Sequence, residues 1–288
     1  MLNSCDFRRT LKVAIAGLAI LAMASFPAAG QTPADIVPHS TSSQIEEGAE
    51  LNKGVAAYRS ERYDEAIAHF QRATELEPNE PIAKLYLATA LGQTVVPGLD
   101  TQENLKIAQQ AIDIFQEVLA KDPHDVNSMK QIAAIEFSIN KLEDAKAWQK
   151  KVLAEDPKDS EAAYTVGVID WMEAHRNALE ALTTAGLNDD GEGNAQAPAS
   201  VMDTIKAQNG ALIEEALDYL KRAVENRPNY DDAMAYLNLV YRKKADLDWG
   251  NEAARKDDVA KAKAWSTKAF ATRRANAEKS AGAKSAKP

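Results

Sequence analysis

Cysteine is nearly absent from this sequence, and its scarcity excludes several kinds of chemistry. The one cysteine among 288 residues is Cys5, in the N-terminal segment. Disulfide scaffolds, zinc–thiolate centres and cysteine nucleophiles all need thiols, so none is expected in the rest of the chain. A fold without disulfides depends on its hydrophobic core, and a hydrophobic content of 45% is sufficient for one.

Motifs for catalysis and for metal or phosphate binding are also lacking. The four histidines form no HExxH motif and have no metal-ligand spacing. The chain has no Gly-x-Ser-x-Gly motif, no glycine-rich phosphate loop and no dinucleotide-binding fingerprint. Residues 189–193, DDGEG, are acidic but lack the ligand spacing of a calcium loop. We therefore expect no enzyme activity, no catalytic residues, no metal and no cofactor.

Aromatic residues are few, and acidic residues outnumber basic ones. Aromatics make up 6% of the chain, and the net charge is −9. A low aromatic content with frequent alanine favours helices that pack closely, and long stretches lack the period-two alternation of strands. An acidic protein is repelled by nucleic acid and by anionic membrane surfaces, so we expect neither as a partner.

The first 30 residues differ in composition from the rest. Basic residues in 1–12 precede an uncharged run over 13–26, and the small residues Ala28 and Gly30 follow. This order is typical of a secretory signal peptide. As a helix the run would rise about 21 Å, less than the ~30 Å hydrocarbon core of a bilayer. We expect cleavage, export to the periplasm or exterior, and no membrane insertion afterwards; the alternative is an uncleaved leader that holds the protein at the membrane.

Prolines close a pattern that recurs along the chain. Twelve residues before each proline stands an alanine, and five before stands alanine or valine. Residues seven apart share one helix face, small side chains let a neighbouring helix approach closely, and proline ends the helix. The prolines are Pro78, Pro123, Pro157 and Pro228; the alanines are Ala66, Ala111, Ala145 and Ala216; the later small residues are Ala73, Val118, Val152 and Ala223.

Each such helix follows another that also carries a small residue, so the unit is a helix hairpin of about 34 residues. The pattern resembles the tetratricopeptide repeat over about 44–275. In the third unit Gln149 replaces the usual aromatic. The matching residues of the first unit are Gly54, Tyr58, Tyr63, Ala66, Phe70, Ala73 and Pro78.

The resemblance implies an all-α fold: a right-handed superhelical solenoid of about five stacked antiparallel helix hairpins. A signal peptide (1–30) and a flexible linker (31–43) would precede the solenoid, and a basic disordered tail (276–288) would follow it. The expected units are about 47–80, 81–125, 126–159, 160–230 and 231–275.

Three units contain insertions, at 92–104, 172–212 and 245–256. Each falls inside a hairpin, so the insertions should lie along one rim of the array, either as functional loops or as neutral drift. We expect 186–200 to be a flexible surface loop. The length of 160–230 is consistent with a decayed extra repeat, but we favour lengthened helices.

The family resemblance also implies a concave groove, lined by the first helix of each hairpin, that binds a peptide or partner protein. Tyr58 and Tyr164 could equally pack within the stack. Lysine and asparagine positions that clamp a terminal carboxylate in some relatives hold Leu51, Val55, Leu85 and Thr89, so that clamp is not expected. The expected groove residues are Leu51, Val55, Tyr58, Leu85, Lys130, Phe137, Tyr164, Trp171, Arg242 and Lys243.

Together these features predict a non-enzymatic protein–protein interaction or scaffold module of the cell envelope. The alternative is an assembly or regulatory subunit of an envelope enzyme complex that engages its partner through the inserted loops.

Overall fold

The computed structural model describes residues 42–285, with side chains as far as Ala281. The expected signal peptide and most of the expected linker lie outside these residues and stay predictions. Residues 42–285 contain ten helices and no strand, which confirms the all-α fold class. The helices are α1 Ser42–Arg59, α2 Tyr63–Leu76, α3 Pro81–Thr94, α4 Gln102–Lys121, α5 Val126–Ser138, α6 Leu142–Glu155, α7 Ser160–Thr184, α8 Ala199–Asn226, α9 Asp231–Leu247 and α10 Glu252–Ser285.

The described chain divides into two compact units, with the division inside α6. The first unit ends at Trp148 and contains α1 to α5; the second begins at Gln149 and contains α7 to α10. In the first unit each helix packs on the next, and α3 also contacts α1 and α5. In the second unit α7 packs on α8 and α9 on α10, while α9 also contacts both α7 and α8.

The residue before a proline ends several helices, as the sequence pattern requires. Glu77, Asp122 and Arg227 have φ values of −131°, −126° and −134° and follow the last residues of α2, α4 and α8. Proline disfavours helical angles in the residue before it, so the chain leaves the helix there. Asp125 at the start of α5 and Asp159 at the start of α7 accept hydrogen bonds from backbone N–H groups that would otherwise lack a partner.

Two glycines allow the paired helices to approach closely. A Cβ atom on Gly54 of α1 would overlap the Phe70 ring on α2, and one on Gly167 of α7 would lie 2.6 Å from Cγ of Leu220 on α8. Both contacts are shorter than carbon atoms tolerate, so only glycine fits. The small-residue positions expected from the sequence are confirmed at these two crossings.

Alanines and aromatics fill the core of the first unit. Ala66 and Ala73 are fully buried on either side of Phe70, whose ring stacks on Tyr86 of α3 with centroids 5.3 Å apart. The small side chains bring the helices together, and the aromatic ring fills the space that remains between them. The offsets read in the sequence therefore correspond to one packed face of α2.

Region 160–230 contains one hairpin of two long helices. The helix α7 has 25 residues and α8 has 28, and Gly210 lies inside α8 without interrupting it. The added turns enclose a small core of their own, formed by Ala178 and Leu182 of α7 with Met202 and Ile205 of α8. This core explains how the hairpin can extend beyond the length of an ordinary repeat.

The last helix continues into the segment expected to be a disordered tail. The helix α10 reaches Ser285, so residues 276–285 are helical. Alanine and lysine are strong helix formers, and Arg274 pairs with Glu278 one turn later at 2.9 Å. These local preferences outweigh the low complexity on which the expectation of disorder was based.

Candidate protein-binding surfaces

The expected groove residues of the first unit lie on α1, α3 and α5, and they divide into two groups. Leu51, Val55, Leu85 and Lys130 are half-buried, so part of each side chain meets solvent. Tyr58 and Phe137 are only 3% and 4% exposed. Tyr58 therefore packs within the stack, the alternative left open for it, and the expected exposure of Phe137 is wrong.

Packing explains the burial of both residues. The Tyr58 ring meets Tyr63 edge-on at 5.4 Å, and burial raises the pKa of Tyr58 to about 12. Phe137 lies one turn after the buried Ala133, on the same face of α5.

In the second unit, aromatic residues expected in the groove instead join α7 to α9. Tyr164 contacts Tyr230 at 5.0 Å and Tyr236 at 5.6 Å, and Trp171 contacts Tyr236 at 5.3 Å. The two contacts to Tyr236 are edge-to-face, an arrangement that aromatic quadrupoles favour. Tyr164 and Trp171 are 8% and 7% exposed. Tyr164 therefore packs within the stack, the alternative left open for it, and the expectation that Trp171 is an exposed anchor is wrong.

Trp171 also stacks against a histidine of its own helix. The rings of Trp171 and His175 are 5.1 Å apart and inclined by 7°. Burial lowers the pKa of His175, and the positive charge of Lys243 lowers it further, while Asp189 opposes both effects. The imidazole is therefore held toward its neutral form beside a buried charge cluster.

That cluster contains Lys243, another residue expected in the groove. Its Nζ lies 2.5 Å from Oδ2 of Asp189 and 3.1 Å from Oδ2 of Asp246, and the residue is 4% exposed. Although burial lowers the pKa of Lys243, Asp246 and Asp189 raise it, and the net direction is upward. The expectation that Lys243 is exposed is wrong because two carboxylates hold it inside the second unit.

Asn194 connects the two carboxylates to the backbone of the inserted segment. Its Nδ2 donates to Oδ1 of Asp246 at 2.7 Å and to Oδ1 of Asp189 at 3.2 Å, and its Oδ1 accepts from the N–H of Asp190 at 3.0 Å. The asparagine is 4% exposed. A buried amide with these partners fixes the turn that carries it.

The segment 186–198, which we call the 186–198 loop, is therefore attached to α9 and α10. Arg242 donates to the carbonyl of Gly191 at 2.8 Å, and Arg255 donates to the carbonyl of Glu192 at 2.6 Å. Gly193 has φ +96°, and a Cβ there would lie 2.7 Å from the Ala245 carbonyl oxygen. The expectation of a flexible loop is wrong, since buried polar groups hold it. Arg242 is half-buried, and one of its nitrogens is engaged by this loop.

The insertion in the second hairpin forms a shorter ordered segment, the 95–101 loop. The N–H of Leu99 donates to the Val96 carbonyl at 3.2 Å, and Gly98 between them has φ +71°. With Pro97 before this glycine, the segment matches a type II β-turn. The N–H of Gly98 also donates to the carbonyl of Ser138 at the end of α5, at 2.9 Å.

One buried side chain, Asn104 of α4, fixes this loop from inside. Its Oδ1 accepts from the Val96 N–H at 2.8 Å, and its Nδ2 donates to the carbonyls of Val96 at 3.0 Å and Leu99 at 2.8 Å. Asn104 is 4% exposed, whereas Val96 and Leu99 are 51% and 43% exposed. Sequence reasoning marked 92–104 as an insertion but did not single out Asn104, because one asparagine near a helix start has no distinctive pattern.

Residues 42–281 contain no group of three or more histidine, cysteine, aspartate or glutamate side chains that could hold a metal ion. No described helix combines the length and the apolar character needed to cross a membrane.

Comparison with known proteins agrees with the observed hairpins. Two family models, each described as tetratricopeptide repeat, match residues 49–80 and 108–167. No curated protein gives a significant match.

Solved structures show the same fold at low identity. MamA from Desulfovibrio magneticus RS-1, from residue 41 to its end, has a TM-score of 0.52 and 18% identity, covering 80% of this chain and 96% of that one. Another MamA crystal structure has a TM-score of 0.51 and 13% identity, covering 81% and 94%. Residues 49–80 and 108–167 therefore match the tetratricopeptide repeat, and the solved structures share the fold of the helix hairpins.

Proposed function

We propose that this protein is a non-enzymatic interaction or scaffold module of the cell envelope, which binds a peptide or partner protein on the face formed by α1, α3 and α5. Stacked helix repeats generally present such a face to protein partners. The assignment to the envelope rests on the signal-peptide pattern of residues 1–30. N-terminal sequencing of the exported protein tests it, and we expect a start at Gln31.

The observation that supports this face is its half-buried apolar character. Leu51 and Val55 lie one turn apart on α1, and Leu85 and Thr89 lie one turn apart on α3; all four are half-buried. Aliphatic side chains that keep part of their surface in water gain further from burial against a partner. The aromatic residues of α7 and α9 lack this capacity because they already contact one another.

Selection from a displayed peptide library against the full chain tests the proposal. Selected peptides are synthesised and titrated by fluorescence anisotropy. Thr89→Arg places a large side chain on the proposed face without removing an apolar core contact, and we expect it to weaken binding about tenfold or more. Gln71→Arg is the matched control, since it introduces the same side chain at an exposed position of α2, a helix that is not part of the proposed face. Unaltered affinity in Thr89→Arg, or no selected peptide at all, contradicts the proposal.

A second candidate function is supported by the order of the two inserted loops. Both the 95–101 loop and the 186–198 loop are held by a buried asparagine, whereas insertions that accumulate by drift need no such support. The protein would then be an assembly or regulatory subunit of an envelope enzyme complex that engages through its loops. Glu192→Lys reverses an exposed charge of the 186–198 loop and leaves the Lys243 cluster intact; weaker co-purification of a defined complex is the expected result.

A further inference from the structure

The 95–101 loop exposes apolar side chains where a turn is normally polar. Turns lie in water and usually carry glycine, proline, asparagine, aspartate or serine. Here the run from Val95 to Leu99 is VVPGL, with no polar side chain. Val95 is buried at 6% exposure and anchors the run, while Val96, Pro97 and Leu99 are exposed. Consecutive exposed apolar residues favour aggregation unless they have a function.

The loop is also held in one conformation before any partner arrives. Asn104 makes three hydrogen bonds to its backbone, Gly98 bonds to the end of α5, and Thr101 caps α4 immediately after it. A fixed loop loses little conformational entropy when it binds, so the energy gained by burying its side chains is retained as affinity. These bonds are made to the backbone of the loop and not to its apolar side chains, and Val96 and Leu99 keep 51% and 43% of their surface exposed.

The charges beside the turn restrict its partner. Asp100 and Glu103 follow it and are exposed, and the whole chain has a net charge of −9. Carboxylates next to the exposed apolar side chains disfavour binding to an anionic lipid surface or to a second copy of this acidic chain. They favour a protein surface that carries lysine or arginine.

We propose that Val96 and Leu99 form a docking knob that enters an apolar pocket of a partner protein, with basic side chains at the rim of the pocket. The inference rests on the proposed protein-binding function and adds the position and chemistry of a second contact. It places that contact at the turn between α3 and α4, separate from the α1–α3–α5 face.

Selection of displayed peptides against the full chain tests the knob with a defined probe. We expect a class of selected peptides with apolar residues flanked by lysine or arginine. In anisotropy titrations, Val96→Ser/Leu99→Ser should weaken binding of this class about tenfold or more, because the complex loses the apolar contacts that Val96 and Leu99 make with the peptide. Thr89→Arg and the control Gln71→Arg should leave it unchanged. Asn104→Ala keeps the knob but frees its backbone, and we expect an intermediate loss.

The possible outcomes separate this inference from the proposed function. Peptides that respond to Thr89→Arg but not to Val96→Ser/Leu99→Ser overturn the knob and leave the proposed function standing. An absence of any selected peptide overturns both. Co-sedimentation of the wild-type chain with vesicles of phosphatidylcholine and phosphatidylglycerol, lost in Val96→Ser/Leu99→Ser, would show a membrane contact and overturn the protein partner. Self-association in sedimentation velocity, abolished by the same double variant, would also overturn it. Melting curves should show that the double variant is as stable as wild type, since neither side chain is buried.

Discussion

Removing the positive charge of Lys243 should destabilise the second unit severely. Lys243→Met keeps the length and apolar stem of the side chain but leaves the carboxylates of Asp246 and Asp189 without their cation. Asp246 is 1% exposed, so water cannot replace the lost ion pair. Burial is the largest influence on the pKa of Asp246 and already raises it. Breaking a buried ion pair by removal of one partner costs about 3–5 kcal/mol. That loss is a large part of the roughly 5–15 kcal/mol that stabilises a typical domain.

The assay is urea unfolding followed by tryptophan fluorescence. Two matched variants isolate the buried charge as the cause. Lys256→Met removes an exposed cation that pairs with Glu252 on α10, and it should leave the curve unchanged because exposed pairs contribute little. Lys243→Met/Asp246→Asn should be more stable than Lys243→Met alone, since one uncompensated carboxylate is gone. A Lys243→Met curve that overlays that of Lys256→Met would refute the reasoning.

Three further predictions concern packing, the first loop and pH. Gly54→Ala should cost about 1–3 kcal/mol by overpacking against Phe70, and Phe70→Leu should recover part of that loss in thermal melts. Asn104→Ala removes three hydrogen bonds to the 95–101 loop, so hydrogen exchange of the loop amides should accelerate about tenfold or more. The folded-state pKa of His175 lies below its ordinary value of 6.5, so the unfolded state binds more protons and stability should fall as pH drops below about 6.5. His175→Gln should remove this part of the pH slope, and a slope that stays unchanged would contradict the assignment to His175.

The helices were predictable from the sequence because the interactions that form them are local. A proline acts on the residue before it, as at Glu77, and a glycine such as Gly54 marks a close crossing between helices adjacent in the chain. These effects lie within one hairpin, so their spacing is visible as a pattern. The long hairpin of 160–230 was predictable for the same reason, because α8 reads as one continuous helix.

The surfaces were harder to predict because their burial depends on distant residues. Tyr164 is covered by Tyr230 and Tyr236 of the following hairpin, so its own helix does not reveal its burial. Lys243 is separated from Asp189 by 54 residues, and only the folded chain shows that they meet. A repeat pattern gives the face on which a residue lies, but it does not show what an inserted segment does to that face.

The most direct test of the proposed function is the affinity of a library-selected peptide for the full chain, compared between wild type and Thr89→Arg by fluorescence anisotropy. Binding on the face of α1, α3 and α5 requires a loss of about tenfold or more in Thr89→Arg, with the control Gln71→Arg unchanged. Equal affinities in all three proteins would contradict binding on that face.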